Sequence, residues 1–69
     1  MSKKGIISAL RARYEADMLA ADATINIYLT NSGGIGEHPQ HIDEVDKQLG
    51  KLCHAKEKMK VLEDFEKCI

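Results

Sequence analysis

The stretch Asn31–His41, NSGGIGEHPQH, gathers three of the five glycines, two of the three histidines and the only proline of a 69-residue chain. On both sides of it the sequence reads as helix. Its interpretation decides the fold. As a bend, it joins two helices into a hairpin. As a ligand loop, it makes the flanking helices a frame for a site.

Upstream, Lys4–Thr30 contains no proline and only one glycine, Gly5. Apolar or small residues recur at Ile7, Leu10, Tyr14, Met18, Ala21, Ile25 and Tyr28. Steps of three and four describe one face of a helix, close to a coiled-coil seam. Ile6, Ala9, Ala16, Ala20, Ala23 and Ile27 widen the stripe, and Ala20 and Ala21 would admit a neighbouring helix closely. Ser2 suits the N-cap, where a hydroxyl accepts from an unpaired backbone N–H.

Downstream, Pro39 suits a first helical position, where its missing N–H costs nothing. Asp43, Glu44 and Asp46 follow near the positive end of the helix dipole. The expected inner face is Ile42, Val45, Leu49, Leu52, Met59, Leu62, Phe65 or Glu66, and Ile69. Lys56 fills the missing turn, with Cys53 and Ala55 beside it. Gly50 weakens this helix by roughly 1 kcal/mol of propensity, or marks a close crossing.

The expected architecture is all-α and one domain, 1–69. A helix over about 4–31, a bend at 32–38 and a helix over about 39–67 form an antiparallel two-helix hairpin. Chains this short bury a modest share of their surface and commonly need a staple or a partner. Here one Phe, two Tyr and no Trp leave few large anchors. Both apolar stripes are wider than one seam, so two hairpins are expected to pair as a dimer, forming a four-helix bundle.

Within the bend, Asn31, Ser32, Gly33 and Gly34 are helix-ending residues, and Ile35 can plug the end of the bundle. A phosphate cradle is the first rival, because glycine-rich backbone before a helix can bind anions. GGIGEHP is not a P-loop, since no Gly-Lys-Ser/Thr follows, and no strand precedes it as in a dinucleotide fold. Gly33, Gly34 and Gly36 are the residues this rival would use. The second rival is a metal held by His38 and His41, with Glu37 and Glu44 nearby. Two firm ligands fall short of the four of a structural zinc site, so a partner chain would have to complete it. The expectation is a structural bend with no cofactor.

The net charge of −1 gives no overall basic bias toward nucleic acid, but the charge is segregated. Residues 1–13 carry Lys3, Lys4, Arg11 and Arg13 and no acid. Residues 14–46 carry seven acids and no Lys or Arg, and residues 47–60 turn basic again. Antiparallel packing brings the two basic segments to one end. Arg11, Arg13 and Tyr14 there form a candidate site for a phosphate-bearing small molecule, with the ring stacking on a base. The interleaved acids Glu57, Glu63, Asp64 and Glu66 favour a plain solvated face instead.

Catalysis finds no grouping. Cys53 and His54 are neighbours on a helix and point about 100° apart, a poor dyad. Cys53 and Cys68 lie fifteen residues apart, about 22 Å along a helix, too far for a disulfide. They are expected as buried thiols in a reducing cytoplasm. No apolar run approaches a spanning helix and no signal peptide is visible, so a soluble, cytoplasmic protein without a membrane partner is expected.

The middle of the chain, Ile27–Leu52, resembles short proteins encoded by marine tailed phages, especially phages of cyanobacteria. Those have a Gly-Ile-Gly-Glu-His-Pro run between two helices and a central aspartate in the second. Gly34–Pro39 and Asp46 match. Gly33 departs, where a bulkier residue is expected. The resemblance implies an infected bacterial cytoplasm or a virion and supplies no catalytic residue. Small phage proteins commonly bind a host protein, coat a virion or sequester a nucleotide messenger. The leading expectation is therefore a non-enzymatic, homo-oligomeric protein that binds a host or virion macromolecule. The alternative is an oligomer holding a nucleotide or cyclic nucleotide between subunits.

Overall fold

A computed structural model describes residues 2–30 and 39–68. Two helices, α1 (Lys3–Thr30) and α2 (Pro39–Lys67), pack against each other as a hairpin, and the described residues include no strand. Each helix is about 42–44 Å long at 1.5 Å per residue. The molecule is a rod of 50 × 15 × 14 Å.

The start of α1 is fixed by Ser2. Its Oγ accepts from the Gly5 N–H at 3.0 Å and its carbonyl accepts from the Ile6 N–H, also at 3.0 Å. The hydroxyl meets one of the four donors a helix N-terminus leaves unpaired, and the carbonyl accepts the first intrahelical bond. Toward the C-terminus of α1, polar side chains bond back to the preceding turn. Thr24 Oγ1 donates to Ala20 O at 2.8 Å, Asn26 Nδ2 to Asp22 O at 3.0 Å, and Thr30 Oγ1 to Asn26 O at 2.7 Å. Such bonds let short polar residues sit in a helix interior. In α2 no acid lies in the first turn, because Asp43 is the fifth residue of the helix. The dipole benefit expected of Asp43, Glu44 and Asp46 is therefore small, since it falls off within one turn.

All seven residues of the expected α1 seam are buried or half-buried, from Ile7 to Tyr28. Ala21 and Ile25 are the most enclosed. Ala20 faces water.

In α2 the seam is turned from the expected one. Val45, Leu52, Met59 and Leu62 face inward as expected, but Ile42, Leu49 and Phe65 are exposed. Ala55 is buried where Lys56 was expected to fill the turn. Half-buried His41, Glu44 and Gln48 complete the seam. Gln48 Nε2 donates to Glu44 Oε1 at 3.2 Å, which satisfies two polar groups at the edge of the core. Gly50 is exposed, and a Cβ there would meet nothing within 4 Å, so it marks no crossing within the chain.

The core is thin. Among the described residues its buried members are Ala21, Ile25, Ala55 and Leu62, and no side chain is less than 2% exposed. Only Ile25 and Leu62 supply the ~1.5–3 kcal/mol that burying a large aliphatic side chain contributes. Both cysteines are free and exposed, which corrects the expectation of buried thiols.

Candidate functional site

The sequence places its candidate residues in two regions. Gly33, Gly34, Gly36 and His38 lie outside the described residues, as do Ile35 and Glu37. Arg11, Arg13 and Tyr14 are described and sit on α1, toward the end of the rod where α1 begins and α2 finishes.

At that end the antiparallel register brings side chains of the two helices together. The guanidinium of Arg11 donates to Glu66 Oε1 in an ion pair. This hydrogen bond, with the charge of Glu66, holds the Arg11 pKa above its ordinary value, and the charges of Glu63 and Glu15 add to it. Arg11 is thus already occupied by carboxylates. Arg13, two residues on, is exposed.

Tyr14 is half-buried, and Lys58 Nζ lies 5.7 Å from its ring centroid, within cation–π range. Tyr14, Glu57, Lys58, Val61, Leu62 and Phe65 line an open hollow of ≈ 380 Å³. That volume falls in the range of small-molecule sites, ~300–1,000 Å³. Its apolar walls stand partly in water, with Val61 50% and Phe65 65% exposed. A smaller hollow of ≈ 260 Å³, on the Arg11–Glu66 side, is lined by Lys4, Ile7, Ser8 and Glu66. The structure therefore separates the sequence candidates. Arg11 closes onto Glu66, Tyr14 borders the larger hollow under Lys58, and Arg13 borders neither hollow.

At the other end, His41 is half-buried and meets Tyr28, with ring centroids 5.7 Å apart and planes tilted by 49°. Among the described residues no three His, Cys, Asp or Glu side chains converge as metal ligands would.

Three pairings were not read from the sequence: Arg11–Glu66, Tyr14–Lys58 and Tyr28–His41. One signal existed. In an antiparallel pair the start of α1 must meet the end of α2, so residues near 11–14 fall level with those near 58–66.

No described helix is long and apolar enough to cross a membrane. No protein-family model, curated protein or solved structure matches the chain.

Proposed function

We propose that this chain is a non-enzymatic, homo-oligomeric helical hairpin whose assembled form binds a macromolecular partner. One observation carries the reading: the imbalance between what is buried and what is exposed. Among the described residues, against two large aliphatic side chains in the core, eight large apolar residues are exposed, including Leu19 and Ile42, each 71% exposed. Two helices alone give each stripe a single neighbour, whereas a four-helix bundle gives each helix two. An excess of exposed over buried large apolar side chains supports association through part of this surface.

Analytical ultracentrifugation tests the oligomer. At tens of micromolar the chain sediments as a dimer or larger, and its melting temperature rises with protein concentration. A folded monomer with a concentration-independent melt overturns the reading. Pull-down of host or virion proteins by the oligomer, lost on mutation of its exposed apolar residues, tests the partner.

The phage setting implied by Gly34–Pro39 and Asp46 belongs to the same proposal. It is supported by the sequence resemblance, and mass spectrometry of purified virions against infected-cell lysate separates its two compartments.

A second reading is supported by the hollow beside Tyr14. A ring and the Lys58 ammonium border one apolar groove, a combination suited to a nucleotide base and its phosphate. In this reading the oligomer sequesters a nucleotide or cyclic nucleotide. A ligand at one hundred times its Kd adds about 2.7 kcal/mol of stability. A thermal-shift series with nucleotides and cyclic nucleotides that shows no change at saturation removes it.

A further inference from the structure

We infer that a second copy of this chain docks on one particular broad side of the hairpin, the side carrying Leu29, Ile42 and Leu49, with the Thr30 and Pro39 ends of both copies together. The inference rests on the oligomeric reading above and names the surface and orientation it uses.

On an α-helix seven residues return the chain to within about 20° of its starting direction. A heptad line beside the α2 seam runs Ile42, Leu49, Lys56, Glu63, and all four are exposed. A matching line on α1 runs Glu15, Asp22, Leu29, also exposed. Each line is rotated from its seam in the same sense, which in an antiparallel pair puts both on one side of the hairpin. The charge of Glu63 on α2 reaches Arg11, which sits one turn before Glu15 on α1, as this placement requires. The hollow of Tyr14, Val61 and Phe65 lies on the opposite side.

Along this side the chemistry is divided. Near Thr30 and Pro39 it is apolar: Leu29 is 62% exposed, Ile42 71% and Leu49 45%, with half-buried Val45 beside them. From Asp22 toward the other end it is charged, with Glu15, Lys56 and Glu63. A two-fold axis parallel to the helices lays α1 of one copy along α2 of the other at unchanged height. The register is then that of the hairpin itself, set by Arg11–Glu66, Tyr14–Lys58 and Tyr28–His41. It sets Leu29 of one copy beside Ile42 of the other, and Glu15 beside Lys56. Glu15 and Lys56 meet as opposite charges and Leu29 meets Ile42, while Asp22, at the boundary of the two halves, falls level with Leu49. The reversed orientation would set Leu29 and Ile42 against the charged half. The face is also large enough. A 50 × 15 Å side is about 750 Å² in projection, close to the ~800 Å² per partner of a stable interface.

Sedimentation equilibrium of the full chain and of Leu49→Asp, Phe65→Asp, Lys56→Glu and Glu15→Lys/Lys56→Glu tests the surface. Circular dichroism is recorded on each variant. The expected result is at least a tenfold rise in dissociation constant for Leu49→Asp and no change for Phe65→Asp. Lys56→Glu weakens association severalfold and the double reversal restores it. Should Leu49→Asp lose its helicity, the charge reversal decides by itself. An oligomer indifferent to Leu49→Asp and Lys56→Glu, or dissociated by Phe65→Asp, overturns the inference. A monomeric parent chain overturns the oligomeric reading beneath it. Orientation is read from a spin label at Gln40→Cys in a Cys53→Ser/Cys68→Ser background. The two labels lie within a bundle's width if the ends coincide, and a separation near the 50 Å rod length rejects that orientation.

Discussion

Replacing Gly50 by alanine separates an unused helix position from a hidden contact. Gly50 lies inside α2, eleven residues after Pro39, and is exposed. A Cβ built on it meets no atom within 4 Å, so alanine introduces no clash within the chain. What remains is the backbone entropy that glycine loses in a helix, about 1 kcal/mol relative to alanine. For a domain of this size about 1 kcal/mol raises the melting temperature by roughly 4–8 °C. The assay is urea and thermal unfolding followed by circular dichroism at fixed protein concentration, with the urea m-value unchanged. In the dimer inferred above, Gly50 points away from the line of Ile42, Leu49 and Lys56, so the dissociation constant stays the same. Gly50→Ala that destabilises the protein, or weakens its association, would mean that another helix passes close against this glycine. Both the assignment of Gly50 as an unused position and the choice of docking side would then fail.

Other substitutions follow from the same geometry. Ser2→Ala removes the acceptor for the Gly5 N–H and is expected to cost ~0.5–1 kcal/mol in urea unfolding. Ala55→Leu forces a larger side chain into a 3%-exposed position and should cost about 1–3 kcal/mol, read as a lower urea midpoint. His41→Ala removes the ring packed on Tyr28 and should cost ~0.5–1.5 kcal/mol, with no added effect from a chelator. Cys53→Ser and Cys68→Ser should each change stability by less than about 0.5 kcal/mol, and both thiols should react with a chromogenic disulfide in the native protein as fast as in urea.

The helical hairpin was legible in the sequence because two features agree. The steps of three and four from Ile7 to Tyr28 define one face, and Pro39 fixes where the second helix begins. The α1 face was readable residue by residue because the rest of that helix offers mainly alanine and charge, with no rival stripe of large side chains. At the candidate site the sequence placed Arg11 and Tyr14 at the right end but missed their partners. Charge segregation shows which ends meet, whereas Glu66 on Arg11 and Lys58 on Tyr14 depend on axial register to within a turn. That register is a matter of how the two helices pack side by side, and the periodicity of either helix alone does not encode it.

The rotation of α2 has a physical cause that periodicity alone does not reveal. Its most regular apolar line is Ile42, Val45, Leu49, Leu52, Lys56, Met59, and facing that line inward would bury Lys56. A buried, unpaired ammonium is far costlier than an exposed leucine. Turning the helix slightly puts Ala55 inward and Lys56 in water. Because Ile42, Leu49 and Lys56 are seven apart, they move together, so releasing the lysine also carries the isoleucine and the leucine out of the seam. Their places beside Val45 and Leu52 are taken by His41, whose ring packs on Tyr28, and by Glu44 and Gln48, which hydrogen-bond each other at the margin. The line that leaves the intrachain seam is the one assigned above to the second copy. An apolar heptad with one lysine is a poor closed seam but a workable open one, because at an interface between chains that lysine can meet Glu15 of the partner. Lys56 therefore links the fold to the assembly: Lys56→Leu should draw Ile42 and Leu49 back toward the seam. The measurable consequence is a more stable hairpin with weaker self-association, and a variant in which both strengthen together would show that the lysine does not set the rotation.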